Sequence, residues 1–492
     1  MFYDHMSTHI CYNKAKARTD TPLCIQLSAE RALAIELIAH PIYELLSAAA
    51  LCRVASTCRT AHASVQSYIG VAFNVDRLLS RFFPSATPGC SATCPHDHTH
   101  TEEHVRARAF RSLQAATGTL ISGSTALQFF DRTFWPESDL DLYVHARHRR
   151  EVGRWLIAEG YRFKPTRFQD LFEVEIMECL AKRPDGIYSM PGVLAVFTFV
   201  KPLPGLGTPR RTPTPEPVEE GEVISLPDSS DTEEDEEPKE LKVQVIVTKN
   251  TPMECILGFH STCVMNVISY EKAYCLFPRA TLEERRTLIS SSCRGRSRHR
   301  AEGLAKYERR GYKLIYSLPM HEVVPDPAAQ SLYPAYGHTR FPTHCNLPRA
   351  RPHQTQNPTF RFGWRWIDDS ASWVLGLPQT GVTPPAPANG STRALAHDPV
   401  AVCNWEVRSN FGMGALMHFE TVACKVLRYK YLVTDEQLLA YLGEAFAARG
   451  RVEDDKARLE LEEWTYCDEE LPTLCRDFLH GLATRRLSSL RL

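Results

Sequence analysis

No stretch of this 492-residue chain is apolar for long enough to cross a bilayer, and no basic-then-apolar leader with a small-residue cleavage site opens it. A soluble, intracellular protein, cytoplasmic or nuclear and without membrane contact, is therefore expected. A Gly-Lys-Ser phosphate loop, a dinucleotide fingerprint after a strand and a nucleophile-elbow pattern are also missing, which leaves the corresponding enzyme classes little support. No internal repeat is visible. Disulfide-framework spacing is absent too. Sixteen cysteines are present, but Cys52, Cys58, Cys179, Cys255, Cys263 and Cys275 lie singly in apolar surroundings, which reads as reduced, mostly buried thiols.

Net charge is nearly absent as well, at −1, yet the balance hides an asymmetry. Glu219 to Glu240 carries eleven acidic residues and one lysine, so the rest of the chain is positive by nine. The densest positive run holds Arg294, Arg296, Arg298, Arg300, Lys306, Arg309, Arg310 and Lys313. It reads as a contact surface for a nucleic-acid backbone or for nucleotide phosphates, as a nuclear address, or as a solvated loop leading into a surface helix.

Composition and periodicity divide the chain into eight segments. Residues 1–26 form a polar tail. Residues 27–84 form a small all-α module: Leu51, Val54, Ala55 and Cys58 recur at helical spacing after a cap at Ser47, Val65, Tyr68, Ile69 and Ala72 repeat it, and Pro41 separates an earlier helix. This pattern, with "ALCRVASTCR", resembles an F-box-like module, which implies a ubiquitin-ligase adaptor as partner; a plain three-helix packing unit is the other reading. Residues 85–104 form a linker in which Cys90, Cys94, His96, His98, His100 and His104 offer zinc ligands without a recognised zinc-module spacing.

Residues 105–200 and 241–320 read as two parts of one α+β core, a mixed sheet with helices, split by a disordered acidic insertion at 201–240. "GVLAVFTFV" has the character of a central strand, and "LKVQVIVTK" alternates as a second strand, so the insertion springs from a hairpin. Within it, Val223, Ile224 and Leu226 followed by acids look like a SUMO-interacting motif, the alternative being a charged loop, and Ser229, Ser230 and Thr232 suit an acid-directed kinase. Residues 321–400 are Pro-rich and enclose an aromatic hairpin with Trp364, Trp366 and Trp373, read as core packing or as a base-stacking surface. Residues 401–492 form a helical end, with a capping box from Thr434 to Gln437, a stripe of Leu438, Leu439, Leu442 and Phe446, and a stop at Gly450.

The chemistry concentrates in "GSTALQFFDRTFWPESDLDLYV". Leu140, Leu142 and Val144 alternate with Asp139, Asp141 and Tyr143, so both carboxylates face one way on a strand that follows a glycine turn and a helix. Paired carboxylates suit Mg2+, a hard cation usually completed by substrate phosphates, and a glycine turn at a helix N-terminus suits the phosphates themselves.

"SGSTALQFF" followed by "SDLDLYV" resembles the signature of the polymerase-beta-like nucleotidyltransferase superfamily, and with "ILGFHSTCVMNVISYEKAYCLFPRAT" the run looks like a group of uncharacterised fungal proteins on that fold. The resemblance covers about Ala109 to Tyr312, minus the insertion. It implies Mg2+-dependent transfer of a nucleoside monophosphate from a nucleoside triphosphate to an acceptor, with Gly123 and Ser124 on the triphosphate and Asp139 and Asp141 on the metal. The third acid of the family falls in "KVQVIV", where this chain has Gln244, a neutral amide that cannot serve as a general base. Glu173 and Glu175 alternate with Val174 and Ile176 in "LFEVEIMEC", as on a strand, and could substitute if that strand lies nearby; Asp131 is a more distant candidate. A retained fold without catalysis, serving as a scaffold for nucleotide or protein partners, is the rival reading. His260, Ser261, Thr262 and Asn266 punctuate an expected apolar helix, either lining the nucleotide pocket or hydrogen-bonded in the core.

Overall fold

A computed structural model describes residues 31–84, 104–179, 190–203, 240–291, 298–318, 359–384, 398–409, 414–434, 436–459, 464–478 and 481. The polar tail, Cys90, Cys94 and the three histidines after them, and the motif at Val223, Ile224 and Leu226 lie outside these residues. The chain divides into two compact units, residues 1–72 and 73–492.

In the first unit, helices α1 (Glu36–Glu44), α2 (Ala48–Ala55) and α3 (Arg59–Ala72) enclose Ala39, Tyr43, Leu51, Val65 and Tyr68. The Ser47 side chain accepts a hydrogen bond from the Ala50 amide, as its place before α2 predicts. Pro41 does not separate helices; it lies inside α1 as its sixth residue, where it removes one main-chain hydrogen bond.

The second unit is mixed α and β. Its main sheet orders eight strands as β11-β7-β6-β1-β2-β5-β4-β3, where β1 is Leu120–Ser122, β2 Leu140–His145, β3 Arg162–Phe163, β4 Val193–Pro202, β5 Glu240–Thr248, β6 Asn266–Ile268, β7 Lys272–Cys275 and β11 Trp373–Gly376. Within this sheet only the β2–β5 pair is parallel, so the sheet is mixed, and β8 (Arg286–Leu288) and β9 (Lys313–Ile315) form a separate parallel pair. β4 and β5 pair antiparallel from Val193 opposite Thr248 to Pro202 opposite Glu240, the hairpin expected on either side of the insertion. Period-2 alternation sends Leu140, Leu142, Val243 and Val245 to one face, while Leu120, Tyr143 and Ile246 join the main core on the other. Asp141 and Gln244 share that second face as register partners. Among the described residues no helix is long and apolar enough to cross a membrane.

Four expectations are corrected. "LFEVEIMEC" is not a strand: Phe172–Glu178 is a helix that buries Phe172, Glu175 and Ile176, because an alternating heptamer also satisfies the i, i+4 spacing. "FHSTCVMN" is no apolar helix but a 3-10 turn at Thr262–Val264 leading into β6. The aromatic segment forms no hairpin with itself, since β10 (Gly363–Trp366) pairs with β12 (Asn404–Ser409) while β11 pairs with β7. The C-terminal region is not all helical; β12, β13 (Ala415–His418), β14 (Glu420–Val422) and β15 (Tyr431–Val433) precede a helix at Glu436–Leu459 that runs through Gly450. Glycine there weakens the helix, but packing of Leu438, Leu442 and Phe446 decides.

Cys179, Cys255, Cys263 and Cys275 are buried free thiols, whereas Cys52 is exposed. Trp373 packs against Phe73 and Phe130, with ring centroids 5.1 and 5.6 Å away, so it serves the core.

Candidate functional site

The turn from β1 into helix Gly123–Asp131 sits against the acid strand. Gly123 has φ +70°, and a Cβ there would lie 2.7 Å from Asp141 Oδ2, so only glycine lets the backbone approach the carboxylate so closely. Register places Ser122 opposite Asp141, and the Thr125 hydroxyl donates to the Asp139 carbonyl at 2.7 Å. Ser124 is buried in the first turn of the same helix. The two aspartates thus share a strand face, as the alternation of Leu140, Leu142 and Val144 predicts, and stand beside a helix N-terminus.

On the other side of β2, Asp141 stands opposite Gln244 across the parallel β2–β5 pair. Asp139 Oδ2 accepts from Gln244 Nε2 at 2.8 Å and pairs with Lys242 Nζ at 2.8 Å. Asp141 keeps a partly accessible edge, yet burial, then the Asp139 charge, push its carboxyl up to about 7 against the pull of Lys242 and Lys306.

Cationic side chains also stand on one side of the pair. Lys306, on the helix Arg298–Arg309, has its ammonium disfavoured by burial and by Arg310, while Asp139, Asp141 and Glu137 favour it. The Arg310 guanidinium lies 3.6 Å from the centre of the Trp135 ring and pairs with Glu137 at 3.2 Å. Trp135 itself is fixed by its amide, which donates to Gln128 Oε1 at 2.5 Å, and by Arg81, which donates to the Trp135 carbonyl at 3.3 Å.

Gly123, Ser124, Asp139, Asp141 and Gln244 are therefore brought together, whereas the substitute acids are not. Glu173 is exposed on its helix and held by Arg150 at 2.9 Å and Arg154 at 2.7 Å. Glu175 is buried and accepts from the Asp170 amide at 2.9 Å. Asp131 pairs with Arg285 at 2.8 Å. His260 packs on Tyr307, and burial together with Arg300 lowers it to about 4. Ser261, Thr262 and Asn266 are core groups: Thr262 Oγ1 accepts from the Leu288 amide, and the Asn266 carbonyl accepts from Ser122 at 2.5 Å.

Lys242 and Trp135 were missed by reading the sequence for acids alone. The signal for Lys242 was present, because period 2 places it on the Gln244 face of the same strand. Lys306 and Arg310 were visible only as members of a basic run.

The donor set does not fit a pair of Mg2+ ions. Among the described residues no three His, Cys, Asp or Glu side chains come together as metal ligands, the third position is an amide, and an ammonium already meets Asp139. Compared with known proteins, the chain matches no family model, no curated protein and no solved structure.

Proposed function

We propose that the second unit carries a nucleotidyltransferase-like core that binds a nucleoside triphosphate without transferring it. One observation carries this reading: the Asp139 carboxylate, expected as a metal ligand, receives both Gln244 and Lys242 on a single oxygen. Transfer of a nucleoside monophosphate needs a base for the acceptor hydroxyl, and Gln244 is neutral at every pH. The order of glycine turn, helix and acid strand, with an antiparallel neighbour on one side and a parallel one on the other, supports the fold assignment. Lys306, Arg310 and Lys242 supply positive charge for phosphates, and the Trp135 ring with Arg310 across it offers an apolar plane beside them.

Calorimetric titration with ATP and CTP tests this reading, with affinities expected at about 10–100 µM. Lys306→Ala should weaken binding about tenfold, since a phosphate contact contributes roughly 1–2 kcal/mol. Release of pyrophosphate or labelling of an acceptor from α-labelled nucleotide would restore the rival, Mg2+-dependent transfer on Asp139 and Asp141.

A second observation favours an interaction role for the first unit. Ile38 and Ile42, at i and i+4 of α1, and Leu45, its C-cap residue, are 46 %, 49 % and 89 % exposed, a stripe beside the buried one of Ala39 and Tyr43. Apolar side chains presented in that order suit docking of a partner helix, and the ubiquitin-ligase adaptor implied by the F-box-like pattern is the partner to try. Capture of purified adaptor by the intact chain, abolished by Ile38→Glu with Ile42→Glu, is the expected result; equal capture by both proteins rejects it.

A further inference from the structure

We infer that Lys242 stands in the place of the divalent cation, so that the acid pair works with a fixed ammonium and nucleoside triphosphate binds without Mg2+. This deepens the nucleotide-binding reading above and rests on it.

The geometry is local and specific. Lys242 and Gln244 lie two residues apart on one face of β5, and Gln244 stands opposite Asp141 in parallel register. Both donors converge at 2.8 Å on the same atom, Asp139 Oδ2. That oxygen already accepts the Gln244 amide and faces an ammonium at 2.8 Å, so a metal reaching it would have to displace the ammonium. Mg2+ demands near-octahedral oxygens at about 2.0–2.1 Å and dehydrates reluctantly, so it does not readily enter beside an ammonium that meets its ligand. The amide at Gln244 acts in the same direction, because it offers its nitrogen, not its oxygen, toward the acids. What the ion would supply to a triphosphate, positive charge at the acid pair, is supplied here by side chains. Lys306 acts on both aspartates from the neighbouring helix, and Arg310 lies one turn further along. A free triphosphate, carrying no metal, is the ligand such a set would hold.

Mn2+ is the probe, read by electron paramagnetic resonance on the full chain, with ATP calorimetry run in parallel in Mg2+ and in EDTA. The wild type should bind no Mn2+ below about 1 mM. The double variant Lys242→Met with Gln244→Glu, which frees Asp139 and adds a third carboxylate, should bind it at least about tenfold tighter. Each single variant should fall between, and thermal melting verifies that all remain folded. ATP affinity of the wild type should agree within about twofold between the two buffers.

Mn2+ held by the wild type and released by Asp139→Asn overturns the inference. So does a folded double variant that gains no Mn2+, since Lys242 and Gln244 would then not be what excludes the ion. ATP binding seen only with Mg2+ overturns it while nucleotide binding stands; silence toward ATP in both buffers overturns both.

Discussion

At the scale of single residues, Gly123 is the most constrained position near the acids. Its φ of +70° is strained for any side chain, and a methyl group would press on Asp141 Oδ2 at 2.7 Å. Gly123→Ala should therefore lower stability by about 2–3 kcal/mol, measured as a shift of the urea midpoint with unchanged slope. A change below half that would mean that the turn relaxes freely. Gln244 shows how a single residue redirects a site: the same position as an acid would complete a carboxylate triad, and as an amide it donates to Asp139 instead. That identity was legible in "KVQVIV", but the direction of its hydrogen bond was not, because it depends on which strand lies alongside.

Secondary-structure elements are tied together by buried ion pairs and by register. Arg111, on the helix Val105–Thr117, is fully buried; its Nη1 meets Asp76 at 3.0 Å and its Nη2 donates to the Tyr270 carbonyl at 2.6 Å. One guanidinium thus clamps the helix Val75–Ser80 and the turn between β6 and β7 to a third element. Asp76→Ala leaves that charge buried with a carbonyl alone and should cost about 3 kcal/mol, read by chemical unfolding. A loss under about 1 kcal/mol would show that the clamp is dispensable.

The β4–β5 hairpin gives an opposite expectation. Pro202 and Glu240 are register partners, so the strand ends adjoin whatever lies between them. Replacing residues 204–238 by a short Asn-Gly turn should leave the melting temperature unchanged or raise it, because loop closure costs only about 0.6 kcal/mol per doubling of length. Failure of that protein to fold would assign the insertion a structural role. The hairpin was readable from one apolar and one alternating run around a segment too acidic and Pro-rich to form a core. The helix Phe172–Glu178 was not, since seven residues satisfy both periods and only the partner surface chooses between them.

For the whole molecule, two compact units with separate cores imply separate responses. Leu51 is almost completely buried in the first unit, so Leu51→Ala should cost that unit about 2–4 kcal/mol and leave the melting of the second unmoved. A calorimetric scan in which both transitions shift together would refute independent folding.

Acid stability belongs to the second unit. Burial, then the neighbouring His148 charge, lower His145 to about 3, and burial with Arg300 lowers His260 to about 4. Both are depressed bases, neutral in the fold and protonated when the chain unfolds below about pH 6.5. Their contribution is complete above pH 6.5 and is lost as pH falls toward 4, by about 3 kcal/mol for the well-buried His145 alone. His145→Gln should flatten that limb in unfolding curves taken from pH 7 to 4; an unchanged limb would exclude the histidine as its source.

What the sequence determined by itself is local: two acids on one strand face, a glycine turn leading into a helix before them, a capped three-helix unit, and a hairpin interrupted by charge. Each follows from side-chain period and backbone freedom, which act over a few residues. The resemblance pointed to the Gln244 strand, but tertiary structure alone decided that Lys242 and Gln244 both meet Asp139 while Glu173, Glu175 and Asp131 pair elsewhere. Strand order depends on how distant apolar faces pack, and more than 90 residues separate the acid strand from its parallel neighbour.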